Sequence, residues 1–313
     1  EVESLSGPSL HHWSELTEGD QRQIILHLNG KTIGAQTFSL TLTGNAPEDV
    51  ADWAVPRFEL NEADRQTGEL VVRPATGIRL RTVSRENVSE TDPRSVGGEG
   101  QGALAFRLLQ RGWNLVLGVE KLDPWVTGQV LHKINLREGQ TRSALFAKFQ
   151  VQNASVRSLL VQLPVTDADE IKTLRASGKV VSDLIRTAPD SDIWEVQFKN
   201  RVIGRVQFQI EYERRVDSDS EQLIPAKFPQ ARQLAYFYAV RAGGRLELEV
   251  EDFTNGWQRI DWNTVPQTLR EAGNRGAPTI ALNAVTPENA LTINKKRHSL
   301  AATLKLRVAS GSL

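Results

Sequence analysis

The sequence predicts an all-β chain of tandem antiparallel β-sandwich modules, and three observations lead to this prediction. Apolar and polar residues alternate along most of the chain, as at Phe38, Leu40 and Leu42, which is the pattern of strands with one buried and one solvated face. Turn dipeptides such as Asn29-Gly30 and Gly243-Gly244 separate these runs at short intervals, as in sandwich folds. The chain also contains what looks like the same unit twice.

The internal repeat has a period of about 175 residues. Residues 25–34 align with residues 195–204, and residues 68–72 align with residues 244–248. The matches keep their order from residue 6 to residue 139, and the offset drifts between strands, as insertions in loops would make it. The alternative is that alternation and glycine turns recur in any β-rich chain.

The repeat sets the predicted domain organisation. We predict a first unit over residues 1–136, which lacks its N-terminal stretch, and a full second unit over residues 137–313, each forming a β-sandwich. The segment between Leu136 and Ser177 has no earlier counterpart. The sequence is therefore expected to be a fragment of a longer protein.

Three local features can also be predicted. Asn29-Gly30, between two alternating runs, predicts a β-hairpin. Within residues 167–186, Ser177-Gly178 predicts a second hairpin around residues 176–179, followed by a short helix over residues 181–187. Residues 86–102, 213–223 and 268–278 are polar or rich in glycine, and they are expected to form exposed loops.

Composition excludes several classes of function. The chain has 38 basic and 38 acidic residues without a block of like charge, so it lacks the basic stretch expected of a nucleic-acid binder or a polybasic membrane anchor. It has no cysteine, which excludes a thiol nucleophile and a cysteine-ligated zinc site. No apolar run is long enough to span a membrane. We therefore expect neither nucleic acid nor membrane as a partner of this region.

No motif in the sequence indicates a cofactor, a metal site or a catalytic residue. Residues 217–221 resemble the start of a calcium loop, but Gln222 and Phe228 stand where glycine and glutamate are needed. His11 and His12 are adjacent on a predicted strand, so they are expected to point to opposite faces and not to share a metal. His27 and His132 align with Gln197 and Leu304 in the repeat, which favours ordinary strand positions.

The seven tryptophans are the best candidates for a binding role. Trp113 and Trp194 are in phase with apolar neighbours and are predicted to lie in the core. Large aromatic side chains can also form exposed platforms that stack on a sugar ring or a partner protein. Trp262 is the better candidate for such a platform, and the predicted ligand-binding residues are Trp257, Trp262, Trp53 and Trp125.

A resemblance adds to this interpretation. The runs Lys133-Ile134-Asn135-Leu136-Arg137-Glu138-Gly139, Leu159-Leu160-Val161-Gln162-Leu163-Pro164 and Gln209-Ile210-Glu211-Tyr212 stand in an order that resembles the β-rich repeat regions of long, uncharacterised bacterial cell-envelope proteins. The resemblance implies export to the periplasm or the cell exterior, and a structural or binding role. It brings no catalytic residues with it.

Three functions are consistent with the sequence. The first is a non-enzymatic extracytoplasmic structural or binding region of a larger bacterial envelope protein, with a glycan or another envelope protein as partner. The alternative is a carbohydrate-binding or polysaccharide-processing accessory module that uses exposed tryptophans and loop carboxylates. A third is an enzyme with a pair of catalytic acids, which would require two carboxylates facing each other across a cleft.

Overall fold

A computed structural model confirms that the chain is all-β. It describes residues 1–18, 21–47, 49–163, 171–216, 218–250, 253, 256–272, 276–285 and 289–298. Among these residues, the one α-helix, α1, spans Gln267–Arg270 and is a single turn long. Contacts between residues divide the chain into two units. Unit 1 comprises Glu1–Leu70, Leu80–Val96 and Ala105–Glu120, and unit 2 comprises Val71–Arg79, Gly97–Leu104 and the described residues from Lys121 onward.

Unit 1 consists of small sheets. Its strands, which lie wholly or mostly within it, are β1 (Val2–Ser6), β2 (Leu10–Glu18), β3 (Gln21–Leu28), β4 (Ser39–Leu42), β5 (Val50–Ala54), β6 (Gly68–Val72), β7 (Ile78–Glu86), β8 (Val88–Thr91), β9 (Leu104–Leu108) and β10 (Asn114–Lys121). They form two pairs, β1-β4 and β2-β3, and two three-stranded sheets, β5-β10-β7 and β6-β9-β8. Its buried apolar side chains come mainly from β9 and β10, and they include Phe106, Leu115 and Leu117.

The hairpin predicted at Asn29-Gly30 is wrong. β3 ends at Leu28, the next strand starts only at Ser39, and that strand pairs with β1 instead of β3. Gly30 and Gly34 both have positive φ angles, of 79° and 95°, conformations that glycine adopts readily and that turn the chain away from β3. The hairpin forms one step earlier, between β2 and β3.

Unit 2 is built on one large sheet. Its strands are β11 (Trp125–Arg137), β12 (Gln140–Gln162), β13 (Ile171–Ser177), β14 (Val181–Arg186), β15 (Ile193–Arg215), β16 (Ser220–Leu223), β17 (Ala231–Ala242), β18 (Leu246–Val250), β19 (Trp257–Arg259), β20 (Ile280–Ala284) and β21 (Leu291–Arg297). The large sheet has eight strands in the order β13-β15-β12-β11-β17-β20-β19, and β14 pairs with the other half of β15. β16, β21 and β18 form a separate three-stranded sheet.

The centre of the large sheet combines local and distant pairings. β11 and β12 form a hairpin that closes at Arg137 and Gln140, whereas β11 and β17 run parallel, far apart in sequence. β12 and β15 are each 23 residues long. The pairing of these two strands shifts register after Val151, next to the positive φ angles of Asn153 and Gly204, as in a β-bulge, which bends strands.

The hairpin predicted around residues 176–179 and the helix predicted over residues 181–187 are both wrong. β13 and β14 each pair antiparallel with β15 and follow one another in the same direction along it. The β-branched residues at Val180 and Val181 favour a strand, and β15 is long enough to pair with both segments. The predicted loops are also partly structured, because residues 86–102 contain β8 and residues 268–278 include the buried Leu269 of α1. Residues 167–170 lie outside the described residues.

The core of unit 2 lies on one side of the large sheet. Alternate residues of β11, β12, β15 and β17 point to this side and form a cluster with residues of the three-stranded sheet, such as Leu223 and Ile293. Phe149, Phe208 and Phe228 pack together in it, with ring centroids 4.9–6.2 Å apart. The contact pattern places residues 121–136 in unit 2. The repeat and its boundary after residue 136 stay predictions about sequence similarity.

One position in this core requires glycine. A Cβ atom on Gly128 of β11 would lie 2.5 Å from the carbonyl oxygen of Lys148 and 2.6 Å from Cδ1 of Phe149. Gly128→Ala should therefore destabilise unit 2 by about 1–3 kcal/mol, the usual effect of overpacking. Urea unfolding followed by tryptophan fluorescence would measure it. Gly44→Ala is the matched control, because Gly44 has open space around it, and equal stability of the two variants would contradict the prediction.

Candidate binding site

The outward side of the large sheet, here called the outer face, is polar and concave. Along β11, the buried residues Val130 and Ile134 alternate with the outward residues Gln129, Lys133 and Asn135. The same alternation runs along β12, β15 and β17. Because neighbouring strands are in register, these polar side chains lie side by side across the sheet.

The first concavity, the glutamate groove, encloses about 380 Å³. Its lining includes Lys133, Asn135, Arg142, Glu211 and Glu213 from β11, β12 and β15. The two carboxylates belong to one strand, two residues apart, so they stand next to each other on the same side of the groove.

Both glutamates are engaged by neighbouring side chains. An oxygen of Glu211 accepts hydrogen bonds from Nε and Nη2 of Arg175, at 3.0 and 2.5 Å. Glu213 lies 3.5 Å from Nε of Arg142 and accepts a hydrogen bond of 3.0 Å from Gln140. Each carboxylate is thus paired with an arginine side chain of a neighbouring strand.

A short segment covers the apolar part of the outer face. A 3-10 helix at Trp262–Thr264 leads into α1, and Val265 and Leu269 from this segment are buried against Leu131 and Phe146 of the sheet. The Asp261 side chain accepts a hydrogen bond of 2.8 Å from the backbone N–H of Asn263, which caps the 3-10 helix. The packing of Val265 and Leu269 holds the segment on β11, β12 and β17.

Lys133 connects this segment to the groove. Its ammonium donates to the carbonyl oxygens of Arg270, at 3.3 Å, and Ala272, and it lies 4.9 Å from the ring centroid of Phe146. Burial lowers the pKa of Lys133, and the neighbouring charge of Arg241 lowers it further. The side chain remains a hydrogen-bond donor at the edge of the groove.

Trp262 lines a smaller extension of about 50 Å³ on the other side of Lys133. Its side chain is partly buried against the apolar cluster that includes Leu131 and Leu269, and the extension is also lined by Asn135, Ala239, Arg241 and Gly276. Because Lys133 and Asn135 border both spaces, this extension and the glutamate groove are neighbours. The structure therefore places one predicted platform beside polar side chains.

The second concavity, the amide groove, encloses about 550 Å³ farther along the same face. Among its lining residues are Gln129, Lys148, Gln150, Arg205 and Gln233. No carboxylate is among the residues that line it. The Lys148 ammonium donates a hydrogen bond of 3.1 Å to the hydroxyl of Thr268 in α1, so α1 lies beside this groove.

Trp125 and Trp53 both lie in strands. Trp125 is the first residue of β11, is 43% exposed, and by alternation shares the outer face with Thr127 and Gln129. Trp53 belongs to β5 of unit 1, opposite Leu117 of β10, and is partly exposed. Trp125 and Trp262 are thus on one sheet face, and Trp53 belongs to the other unit.

The structure does not place Trp257 on the surface. Its side chain is 1% exposed, its ring centroid lies 4.7 Å from that of Tyr238, and its indole N–H donates a hydrogen bond of 3.0 Å to the carbonyl of Asn289. A ring in this position has no free face for a ligand, which corrects its expected role as a platform. Trp113 is 4% exposed, as predicted for a core residue.

The prediction that His11 and His12 point apart is wrong. The pairing of β2 with β3 shifts register between Leu10 and His12, and this bulge brings the Nδ1 atoms of His11 and His12 to 2.6 Å from each other. The ring of His12 also stacks on that of His27, with the ring centroids 4.2 Å apart. Desolvation lowers the pKa of His12, and so do His27 and His11. In the part of the chain that the structure describes, no three histidine or acidic side chains are arranged to hold a metal ion.

No protein-family model matches the chain, and no curated protein is similar to it in sequence. Within the described residues, no helix has the length and apolar character required to cross a membrane.

Sequence reasoning missed most of the outer face. Lys133, Asn135 and Arg137 are the polar half of an alternating run, and this pattern alone predicts a strand with a polar outward face. Glu211 and Arg241, which line the same spaces as Lys133 and Asn135, belong to strands that are distant in the sequence. The signal that could have found them is the charge of each strand's polar face, read separately from the charge of the whole chain.

Proposed function

We propose that the chain is a non-enzymatic, extracytoplasmic binding region of a larger bacterial envelope protein, built of tandem β-sandwich modules. In unit 2, the eight-stranded and three-stranded sheets contribute to one core cluster, which supports a sandwich. The period of about 175 residues in the sequence supports the tandem arrangement. The resemblance to envelope repeat regions supports an exported location.

We further propose that the bound partner is a carbohydrate, because of one observation about the outer face. Trp262 and Trp125 lie on the same face of one sheet, with the glutamate and amide grooves along it. Aromatic rings offer an apolar surface to the C–H face of a sugar, while amide and charged side chains bind its hydroxyl groups. Flat aromatic platforms next to polar grooves are what an extended sugar chain requires.

The glutamates of the groove favour binding over catalysis. A glycosidase needs two carboxyl groups on opposite sides of the scissile bond. Glu211 and Glu213 stand side by side on β15, and each is paired with an arginine. We therefore assign them the role of hydrogen-bond acceptors for sugar hydroxyl groups.

The proposal predicts that Trp262→Ala weakens the binding of a polysaccharide by about tenfold or more, the effect expected when a central aromatic contact is lost. Affinity electrophoresis or calorimetry against a panel of soluble bacterial and plant polysaccharides would measure it. Trp53→Ala is the matched control, since it removes a partly exposed tryptophan outside the outer face. Equal binding by wild type and Trp262→Ala, with both folded, would contradict the proposal.

A further inference from the structure

The outer face is basic, although the chain as a whole has no net charge. Two carboxylates, those of Glu211 and Glu213, line the glutamate groove, the amide groove and the extension beside Trp262 taken together. The basic side chains that line them number six: Lys133, Arg137, Arg142, Lys148, Arg205 and Arg241. Basic residues scattered through the sequence are thus brought together on one surface by strand pairing.

The two carboxylates leave much of this positive charge uncompensated. Glu211 pairs with Arg175, which lies on β13 beside the grooves, and Glu213 pairs with Arg142. In the amide groove, Lys148 and Arg205 face a lining of amides and apolar groups without a carboxylate. The lining of the amide groove therefore contains two cations and no carboxylate, and the neutral hydrogen-bonding side chains are most abundant there.

Charged and amide side chains form a continuous row. The outward residues of β15 between residues 205 and 213 are Arg205, Gln207, Gln209, Glu211 and Glu213. The pairing of β15 with β12 is unbroken over this stretch, so the row extends over about 27 Å. It connects the amide groove with the glutamate groove and is long enough for several linked sugars.

We infer that the ligand of the outer face is an acidic polysaccharide, whose sugar rings carry carboxylate groups. This inference rests on the proposed carbohydrate-binding function and specifies its ligand. The guanidinium of Arg205 and the ammonium of Lys148 bind carboxylates of the polymer, since both give charge-assisted hydrogen bonds. Gln207, Gln209 and the two glutamates bind hydroxyl groups between the carboxylates.

The same side chains argue against a nucleic acid as the ligand. A phosphate backbone presents one negative charge per nucleotide and is bound by continuous basic surfaces. Glu211 and Glu213 interrupt the basic side chains of the outer face, so its grooves do not form a continuous basic surface. Single strands also require several stacked aromatic rings, whereas Trp262 and Trp125 flank the outer face singly.

The test compares three polymers with one protein. Binding of the full chain to polygalacturonate, to its fully methyl-esterified form and to a single-stranded oligothymidylate is measured by calorimetry. We expect binding to polygalacturonate that weakens by about tenfold or more when salt is raised from about 50 to about 300 mM, because surface charges are screened. We expect the methyl ester and the oligothymidylate to bind at least about tenfold more weakly than polygalacturonate at the lower salt concentration.

The variant that tests the assignment is the double substitution Arg205→Gln and Lys148→Gln. It should weaken polygalacturonate binding by about tenfold or more and leave thermal unfolding nearly unchanged, because Arg205 is exposed and the ammonium of Lys148 makes only an exposed hydrogen bond to Thr268. Arg297→Gln is the matched control, since Arg297 is an exposed arginine on β21 of the other sheet. Unchanged binding by the double variant would overturn the assignment.

The remaining outcomes separate this inference from the proposed function. Equal binding of the methyl ester and polygalacturonate, with loss in Trp262→Ala, would overturn the acidic ligand and leave carbohydrate binding intact. Binding of oligothymidylate as tight as that of polygalacturonate would overturn it in favour of a general polyanion surface. Absence of binding to every polysaccharide would overturn both.

Discussion

Glu221→Ala should destabilise unit 2 by about 3–5 kcal/mol, the typical effect of removing one partner from a buried ion pair. The Glu221 side chain is 3% exposed and lies between the two sheets of the unit. One carboxylate oxygen accepts a hydrogen bond of 2.6 Å from Nη2 of Arg214 on β15. The other accepts one of 3.1 Å from Thr141 and lies 3.7 Å from the ammonium of Lys295 on β21.

The physical reason for this loss is the charge that the variant leaves behind. Without Glu221, Arg214 and Lys295 would be two largely buried cations that make no other ion pair among the described residues. Chemical denaturation of the two proteins would measure the difference. Glu247→Ala is the control, because Glu247 lies on the same three-stranded sheet but is about half exposed in its pair with His298, and such pairs contribute little. A Glu221 variant as stable as the Glu247 variant would refute the prediction.

His132 should make unit 2 sensitive to acid. Its side chain is buried, and its Nε2 atom lies 3.3 Å from the hydroxyl of Tyr212. Burial, reinforced by the charge of Arg214, lowers the pKa of His132 to about 3. In the unfolded chain the imidazole has its ordinary pKa of about 6.5. Between these two values the unfolded state binds a proton that the folded state does not.

The sign of the effect follows from this difference in bound protons. The contribution of His132 to the free energy of unfolding should be constant above about pH 6.5, fall as the pH drops toward 3, and level off below 3. The full difference corresponds to about 5 kcal/mol. His132→Phe should flatten this dependence, whatever its effect on stability at neutral pH. Denaturation at a series of pH values would measure the slope for both proteins.

Tyr238→Phe is the matched control for His132. The Tyr238 ring centroid lies 5.6 Å from that of His132, and among the described residues its buried hydroxyl has no hydrogen-bond partner. Removing this hydroxyl leaves His132 buried, so the slope between pH 3 and 6.5 should persist. An identical slope in wild type and His132→Phe would show that other groups determine the acid sensitivity.

The all-β fold was predictable because its signal is local. Alternation along β11 distinguishes the buried Val130 and Ile134 from the outward Lys133. A stretch of about ten residues is enough to show this difference. Errors arose where a local signal competed with a distant one. The Asn29-Gly30 turn and the helical spacing near Val181 are both plausible in isolation, and pairing with β1 and β15 decided the outcome.

The outer face was not predictable for the same reason. Its basic character depends on Arg205 of β15, Lys133 of β11 and Arg241 of β17 lying on the same face of one sheet, which only the strand order establishes. A neutral total charge concealed grooves whose lining holds six basic and two acidic side chains. Trp257 and Trp262 look alike in the sequence, five residues apart, and only packing against Tyr238 distinguishes the buried ring from the partly exposed one.

The parallel pairing of β11 with β17 has a consequence for how this protein folds. The paired residues are about a hundred positions apart in the chain, and such non-local contacts form slowly because a long loop must be closed first. The hairpin of β11 and β12 can form early, and β17 adds to it late. The extension beside Trp262 is lined by Arg241 from β17 as well as Lys133 from β11. It is therefore complete only after β17 has paired with β11. The geometry of this extension is therefore present only in fully folded molecules, and a chain that is still folding does not yet have it.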